Sequence, residues 1–221
     1  TVAGEQRAAY VWTPPGYDPH RPAPYPVLYL QHGGGQNYTD WIEMGRAKQI
    51  LDNEFRDGDI VPMVVVMGNG NVPDFTTELL ENILPAARAE YHIADDPAGQ
   101  ALAGLSMGGF QTYDVLKTHP GEFAYIGTFS AAIGTPGGGV DPTGYDPEAI
   151  NNGTKLLRVY VATSPTSSTP SRSPRWPRST AWASATSSPG SPRAHTAGTP
   201  GRRTSSISPH DCSARAHSEP F

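Results

Sequence analysis

The chain has 221 residues, 37% of them hydrophobic, with 24 Gly, 23 Pro, one Cys and a formal net charge of −5. This suits one domain of ordinary size; the lone Cys212 excludes a disulfide framework and a Cys-based zinc site, and the acidic balance argues against a nucleic-acid partner. No apolar run approaches the roughly 18 residues of a membrane-spanning helix, so no membrane partner is expected, and the start Thr1-Val2-Ala3 shows no signal peptide.

Tyr10-Val11-Trp12-Thr13 reads as a short strand closed by Pro14-Pro15-Gly16. Pro26-Val27-Leu28-Tyr29-Leu30-Gln31 is a continuous apolar run that ends in His32-Gly33-Gly34-Gly35. Residues 41–55 carry Ile42, Ala47, Ile50, Leu51 and Phe55 and read as one helix. Residues 62–67 form a second buried-strand run, stopped by Gly68-Asn69-Gly70-Asn71. Leu79, Leu80, Ile83, Leu84, Ala87 and Tyr91 share a helical face over residues 78–91, with a bend expected at Pro85. Ala101-Leu102-Ala103-Gly104-Leu105 is a third strand run, followed by a helix over 108–116; residues 124–129 and 156–161 are the fourth and fifth runs. Apolar strands without alternation, separated by helices, predict an α/β class: a parallel sheet covered on both faces and joined by right-handed crossovers.

Residues 163–221 break this pattern. They hold 15 Ser, 9 Pro, 8 Thr, 7 Arg and no Lys, and their only large apolar side chains are Trp176, Trp182, Ile207 and Phe221. Seven Arg against Asp211 and Glu219 leave this segment at +5 and residues 1–162 at −10. Such a composition cannot bury enough apolar surface to offset its conformational entropy, so disorder is expected. The domain boundaries expected are therefore 1–162 for the folded part and 163–221 for a tail.

The sharpest chemical signal is Gly104-Leu105-Ser106-Met107-Gly108-Gly109, between a predicted strand and a predicted helix. A tight strand-to-helix turn of this kind is a nucleophile elbow, and it needs Gly on both sides of the Ser. Ser106 then projects at the strand's C-terminal end, beside the free N–H groups of the helix N-terminus. The oxyanion of an acyl-transfer intermediate needs two backbone N–H donors. Met107, after the nucleophile, supplies one, and Gly34 in the earlier Gly-rich loop supplies the other.

These motifs carry a family likeness. Tyr10-Val11-Trp12-Thr13-Pro14-Pro15-Gly16-Tyr17, the run ending Gln31-His32-Gly33-Gly34, Asp40-Trp41, the Ser106 elbow and His119-Pro120-Gly121-Glu122-Phe123-Ala124 resemble the esterase D, feruloyl and acetylxylan esterase and enterochelin esterase-like group of α/β-hydrolases. The resemblance covers about residues 8–162 and implies an α/β-hydrolase fold with a mostly parallel central sheet, its C-terminal strand and helix missing or disordered here. It implies a serine carboxylic-ester hydrolase that acts through an acyl-enzyme on Ser106, on acyl esters of carbohydrate or plant polysaccharide. Gly34 and Met107 would form the oxyanion hole, and His32 and Trp41 would contact substrate. A secreted or periplasmic setting is implied by the same likeness.

The sequence departs from that family in its triad. The acid is expected just after the 156–161 strand and the His about 30 residues later, which puts both in the anomalous segment. Thr166 stands near the acid's place, and His195 has no strand or helix pattern around it. Reading the segment one base out of register gives a different text. The codon across His195-Thr196 becomes His or Tyr, residues 197–201 permit Trp-Asp-Thr-Trp, and residues 206–213 permit Asp-Phe-Ala-Pro-Arg-Leu-Phe. This resembles the family's His loop and final helix, so a frameshift near Ala162 is expected, with the present chain impaired for lack of the triad Asp and His.

The remaining polar residues carry less. His119 reads as a helix-terminal residue, His20 as surface loop, Asp57 and Asp59 as turn residues, and Asp141, Asp146 and Glu148 as solvated loop. No metal-ligand cluster or phosphate-binding Gly-Lys-Ser/Thr motif is present, so no cofactor is expected. Two rival readings stand beside the esterase: a non-catalytic carbohydrate-binding homologue that uses the cleft around Trp41, and an Arg/Ser/Pro tail that binds nucleic acid.

Overall fold

The computed structural model describes residues 4–131 and 143–161. Both chain segments of the Ser/Pro/Arg-rich expectation and of Asp141 lie outside the described residues. The strands are β1 Tyr10–Trp12, β2 Val27–Gln31, β3 Val64–Met67, β4 Gln100–Leu105, β5 Tyr125–Phe129 and β6 Leu156–Tyr160. They form one sheet in the order β1-β3-β2-β4-β5-β6. All pairs are parallel except β1 with β3, where Tyr10 opposes Met67. The expected α/β class and mostly parallel sheet are what the chain adopts.

The four residues of β3 explain why these runs lack alternation. Val64 and Val66 pack into one core cluster and Val65 and Met67 into another, one on each face of the sheet, and all four are fully buried. One face is covered by α3 Phe75–Glu78, α4 Leu84–Glu90 and α5 Met107–Thr118 through Leu79, Leu84, Ala87, Tyr113, Val115 and Leu116. The other is covered by α1 Asp40–Glu43 and α2 Ala47–Asp57 through Trp41, Ile42, Ala47, Leu51 and Phe55. Trp12 Nε1 donates to Asp52 at 2.9 Å and Lys48 Nζ donates to the same carboxylate at 2.7 Å, which ties β1 to α2.

Three local expectations are corrected. The single helix over 41–55 is two helices, because Arg46 adopts a left-handed φ of 52° after Gly45. The helix over 78–91 begins earlier, at Phe75, where the Asp74 side chain accepts from the Thr77 N–H, and it contains a π turn at Leu79–Ile83 just before Pro85. Asp146 and Glu148 are not free loop. Asp146 caps α6 Pro147–Gly153 by accepting from the N–H groups of Glu148 and Ala149, with Pro147 in the first turn. His119 does end α5, and His20 is exposed in a turn. Asp57 is the last residue of α2 and Asp59 follows in the turn.

Candidate active site

The site is built where β4 meets α5. Ser106, between them, is exposed and holds φ 51°, ψ −109°, a left-handed conformation that costs a non-glycine residue of order 1–3 kcal/mol. Its N–H donates to the Phe129 carbonyl at 2.8 Å, and its own carbonyl accepts from Phe110 at 3.0 Å, starting α5. The flanking glycines have steric reasons. A Cβ on Gly104 would land on the backbone of Gly108, and one on Gly108 would lie 2.7 Å from the His32 carbonyl oxygen and from the Gln31 Cβ. The turn can therefore pack against β2 only with glycine at both places.

That close approach brings the Gly-rich loop after β2 alongside. A Cβ on Gly34 would sit 3.8 Å from the Met107 Cβ, so these two residues are neighbours across the cleft. Gly34 is exposed and Met107, the first residue of α5, is half-buried. The loop is held from below. Gly33 N–H donates to the Gln36 side chain at 2.7 Å, and Gln36 N–H donates back to the Gly33 carbonyl at 3.2 Å.

His32, expected to contact substrate, is buried behind the Gly-rich loop. Its ring is 1% exposed. Gly70 N–H donates to Nε2 at 3.0 Å, which leaves Nδ1 to carry the proton and donate to the Gly33 carbonyl at 2.9 Å. Both ring nitrogens are spent on backbone, so His32 staples the Gly33 loop to the 68–71 loop. That second loop has two further braces: Gln111 of α5 donates to the Gly70 carbonyl at 2.7 Å, and Arg7 donates to the Asn71 carbonyl at 3.0 Å. Sequence reading missed Gln111 and Gly70 in this role, since nothing in the spacing relates them to residue 32.

Trp41, on α1, is half-buried and lines a cavity of about 210 Å³ with Gln36, Asp40, Met44, Gly45 and Leu105. It packs edge-on against Phe129 with ring centroids 6.5 Å apart, and Phe129 stacks on Tyr160 at 5.2 Å and 16°. Leu105, Phe129 and Tyr160 occupy one register across β4, β5 and β6, so an aromatic row runs along the strand ends beside Ser106. Sequence reading found Trp41 but not Phe129 or Tyr160. Their apolar identity was absorbed into the strand pattern, and only the register shows that they align.

Among the described residues, no hydrogen bond reaches the Ser106 side chain. His119 lies at the far end of α5, which at about 1.5 Å per residue is roughly 18 Å along the helix. His92 follows α4, where its carbonyl accepts from the N–H of Tyr25, just before β2. His195 and the acid position at Thr166 lie outside the described residues. Among the described residues there is no group of three or more His, Cys, Asp or Glu that could hold a metal, and no helix long and apolar enough to cross a membrane.

Comparison with known proteins adds the following. The Esterase family model matches residues 1–211. An endo-1,4-beta-xylanase/feruloyl esterase from Xylanibacter ruminicola is 34% identical over 182 residues, covering 70% of this chain and 25% of that protein. Endo-1,4-beta-xylanase Y from Acetivibrio thermocellus is 30% identical over 166 residues, covering 68% of this chain and 15% of that protein. The chain thus spans a quarter or less of the length of these two relatives. Among solved structures, a mutant feruloyl esterase module from Clostridium thermocellum complexed with sinapinate matches with TM-score 0.56 and 25% identity, over 69% of this chain and 61% of that one. A ferulic acid esterase from Anaeromyces mucronatus in complex with ferulic acid matches with TM-score 0.53 and 27% identity, over 61% and 56%.

Proposed function

The chain belongs to the Esterase family and has the α/β-hydrolase fold, and from that premise we propose that it is a serine carboxylic-ester hydrolase of carbohydrate-linked acyl groups. The observation that carries the reading is Ser106. It is strained, exposed and seated at the head of α5, with Gly34 beside Met107. In this reading the Ser106 hydroxyl attacks the ester carbonyl, and the tetrahedral oxyanion lies between the N–H groups of Gly34 and Met107. Each such donor is worth about 3–4 kcal/mol of barrier. The acyl-enzyme then loses its acyl group to water. Feruloyl esterase relatives and neighbours complexed with ferulate or sinapinate support an aromatic acyl group, and the row Trp41–Phe129–Tyr160 offers ring faces for one.

The reading includes an impairment. Ser106 needs a general base, and the expected acid and His fall after Ala162, in the segment whose composition suggests a shifted reading frame. The state of β6 supports this. Leu156, Leu157, Val159 and Val161 are 41–54% exposed, whereas an interior parallel strand is covered on both faces. Residues 1–162 are then the α/β-hydrolase domain and 163–221 a segment in the wrong frame.

Hydrolysis of p-nitrophenyl acetate and methyl ferulate tests both parts. The present chain is expected to be nearly inactive, the frame-restored protein active, and its Ser106→Ala variant inactive. Brisk turnover by the present chain would overturn the impairment, and turnover surviving Ser106→Ala would overturn the mechanism. Nucleotide sequencing across the Ala162 codon tests the frameshift: one clean frame with the codons as translated, and no homology in the shifted frame, would remove it.

A further inference from the structure

One strained residue of the site has no part in the mechanism above. Ser130 follows β5 as Ser106 follows β4, and the register pairs Leu105 with Phe129, so the two serines are the next residues of adjacent strands at the same end of the sheet. Their backbones repeat each other. Ser106 has φ 51° and donates its N–H to Phe129, the last residue of the next strand; Ser130 has φ 53° and donates its N–H to Tyr160, the last residue of the strand after that, at 2.6 Å. Both serines are exposed.

The strain at Ser130 has a packing cause. The turn sends Ala131 inward, where it is 1% exposed and so close to α5 that a Cβ on Gly109 would lie 2.6 Å from its methyl group. Packing explains the left-handed turn, but not the residue. Glycine adopts that φ freely and would deliver Ala131 to the same place. A serine there adds a CH2OH group that makes no hydrogen bond to the described residues, on the residue that follows Phe129 of the aromatic row, one strand from Ser106. Strain retained where a strain-free residue would serve the fold points to a function for the side chain.

Resting on the esterase reading above, we propose that Ser130 is a specificity-determining residue of the site, whose hydroxyl hydrogen-bonds to a polar group of the ester bound beside Ser106. Loss of one such bond weakens binding by about three- to tenfold. The test uses the full chain carrying Ser106→Ala, so that the ester is not consumed, with methyl ferulate as probe in isothermal titration and thermal melts alongside. Ser130→Gly is expected to bind about three- to tenfold more weakly while its melting temperature stays level or rises, because strain is relieved. Ser130→Ala is expected to bind as weakly, without that rise. A purely structural residue behaves otherwise: Ser130→Gly would then melt higher and bind methyl ferulate as the parent does. Parent-like affinity in either variant overturns the proposal while leaving the esterase reading intact. A Ser106→Ala parent that does not bind methyl ferulate overturns the proposal, and turnover by the frame-restored protein decides the esterase reading separately.

Discussion

The middle of the sheet and its β6 edge are made of similar residues and end in opposite conditions. At β2, β4 and α5 the backbones approach so closely that Gly104 and Gly108 have no room for a methyl group, and His32 is sealed beneath them with both nitrogens bonded. At β6 the chain is equally apolar, yet Leu157 and Val159 are 41% and 46% exposed. The half of the fold that shapes the Ser106 turn is therefore closed by its own contacts. The edge is a surface on which a further layer of a parallel sheet would ordinarily rest.

Substitutions should separate these regions by size of effect. Gly108→Ala is expected to cost about 3 kcal/mol in urea unfolding, since its methyl group meets the backbone of β2's end rather than a mobile side chain. A cost below about 1 kcal/mol would mean that the centre is not closed. His32→Ala should cost about 2 kcal/mol, because it leaves the buried Gly70 N–H without its acceptor. His32→Gln, which can accept at one end, should recover part of that loss in the same assay.

The Asp52 carboxylate, between the two regions in burial, gives a smaller and pH-dependent effect. Burial pushes its pKa up, but the hydrogen bonds from Lys48 and Trp12 and the Lys48 charge outweigh it and hold the carboxyl below its ordinary value of 3.8. A depressed folded pKa stabilises the fold above the unfolded pKa, and that contribution is lost as pH falls through the folded one. The site is partly exposed, so about 0.5 kcal/mol is at stake. Melting curves of wild type and Asp52→Asn should converge as pH drops below 3.8 and separate slightly at neutrality; a gap unchanged by pH would contradict the assignment. Val159→Ser at the edge should change stability by no more than about 0.5 kcal/mol in this chain. The same change in the frame-restored protein should cost over 1 kcal/mol if a further layer covers β6.

Much of this was legible in the sequence because it depends on local chemistry. Apolar runs became strands, and Gly104 and Gly108 marked a turn that only glycine permits. Trp41 was found through its neighbours in a motif. Other features were hidden because they are relations between distant positions. Gly70 meets His32 only through the β2–β3 pairing, and Phe129 and Tyr160 align only through register. Ser130's positive φ has no composition signal at all. Asp146 differed: Asp, Pro and Glu in succession are a helix-start signal, and it was obscured by the Gly- and Pro-rich stretch before it.

The π turn at Leu79–Ile83 makes the helix before the elbow a counting device. Leu84 N–H bonds to the Leu79 carbonyl five residues back, so one residue is extra relative to an α-helix. That extra residue lets Leu79 and Leu84, five apart and both buried, face the same core, and it carries Ala87 with them. Removing any one residue of the turn would leave a better helix by local rules. It would put Leu79 and Leu84 four apart, the spacing at which an ordinary α-helix already turns both to one core, so Leu84 and Ala87 would keep their places. A single-residue deletion here is therefore a change of length rather than of phase, unlike the loss of one base in a reading frame.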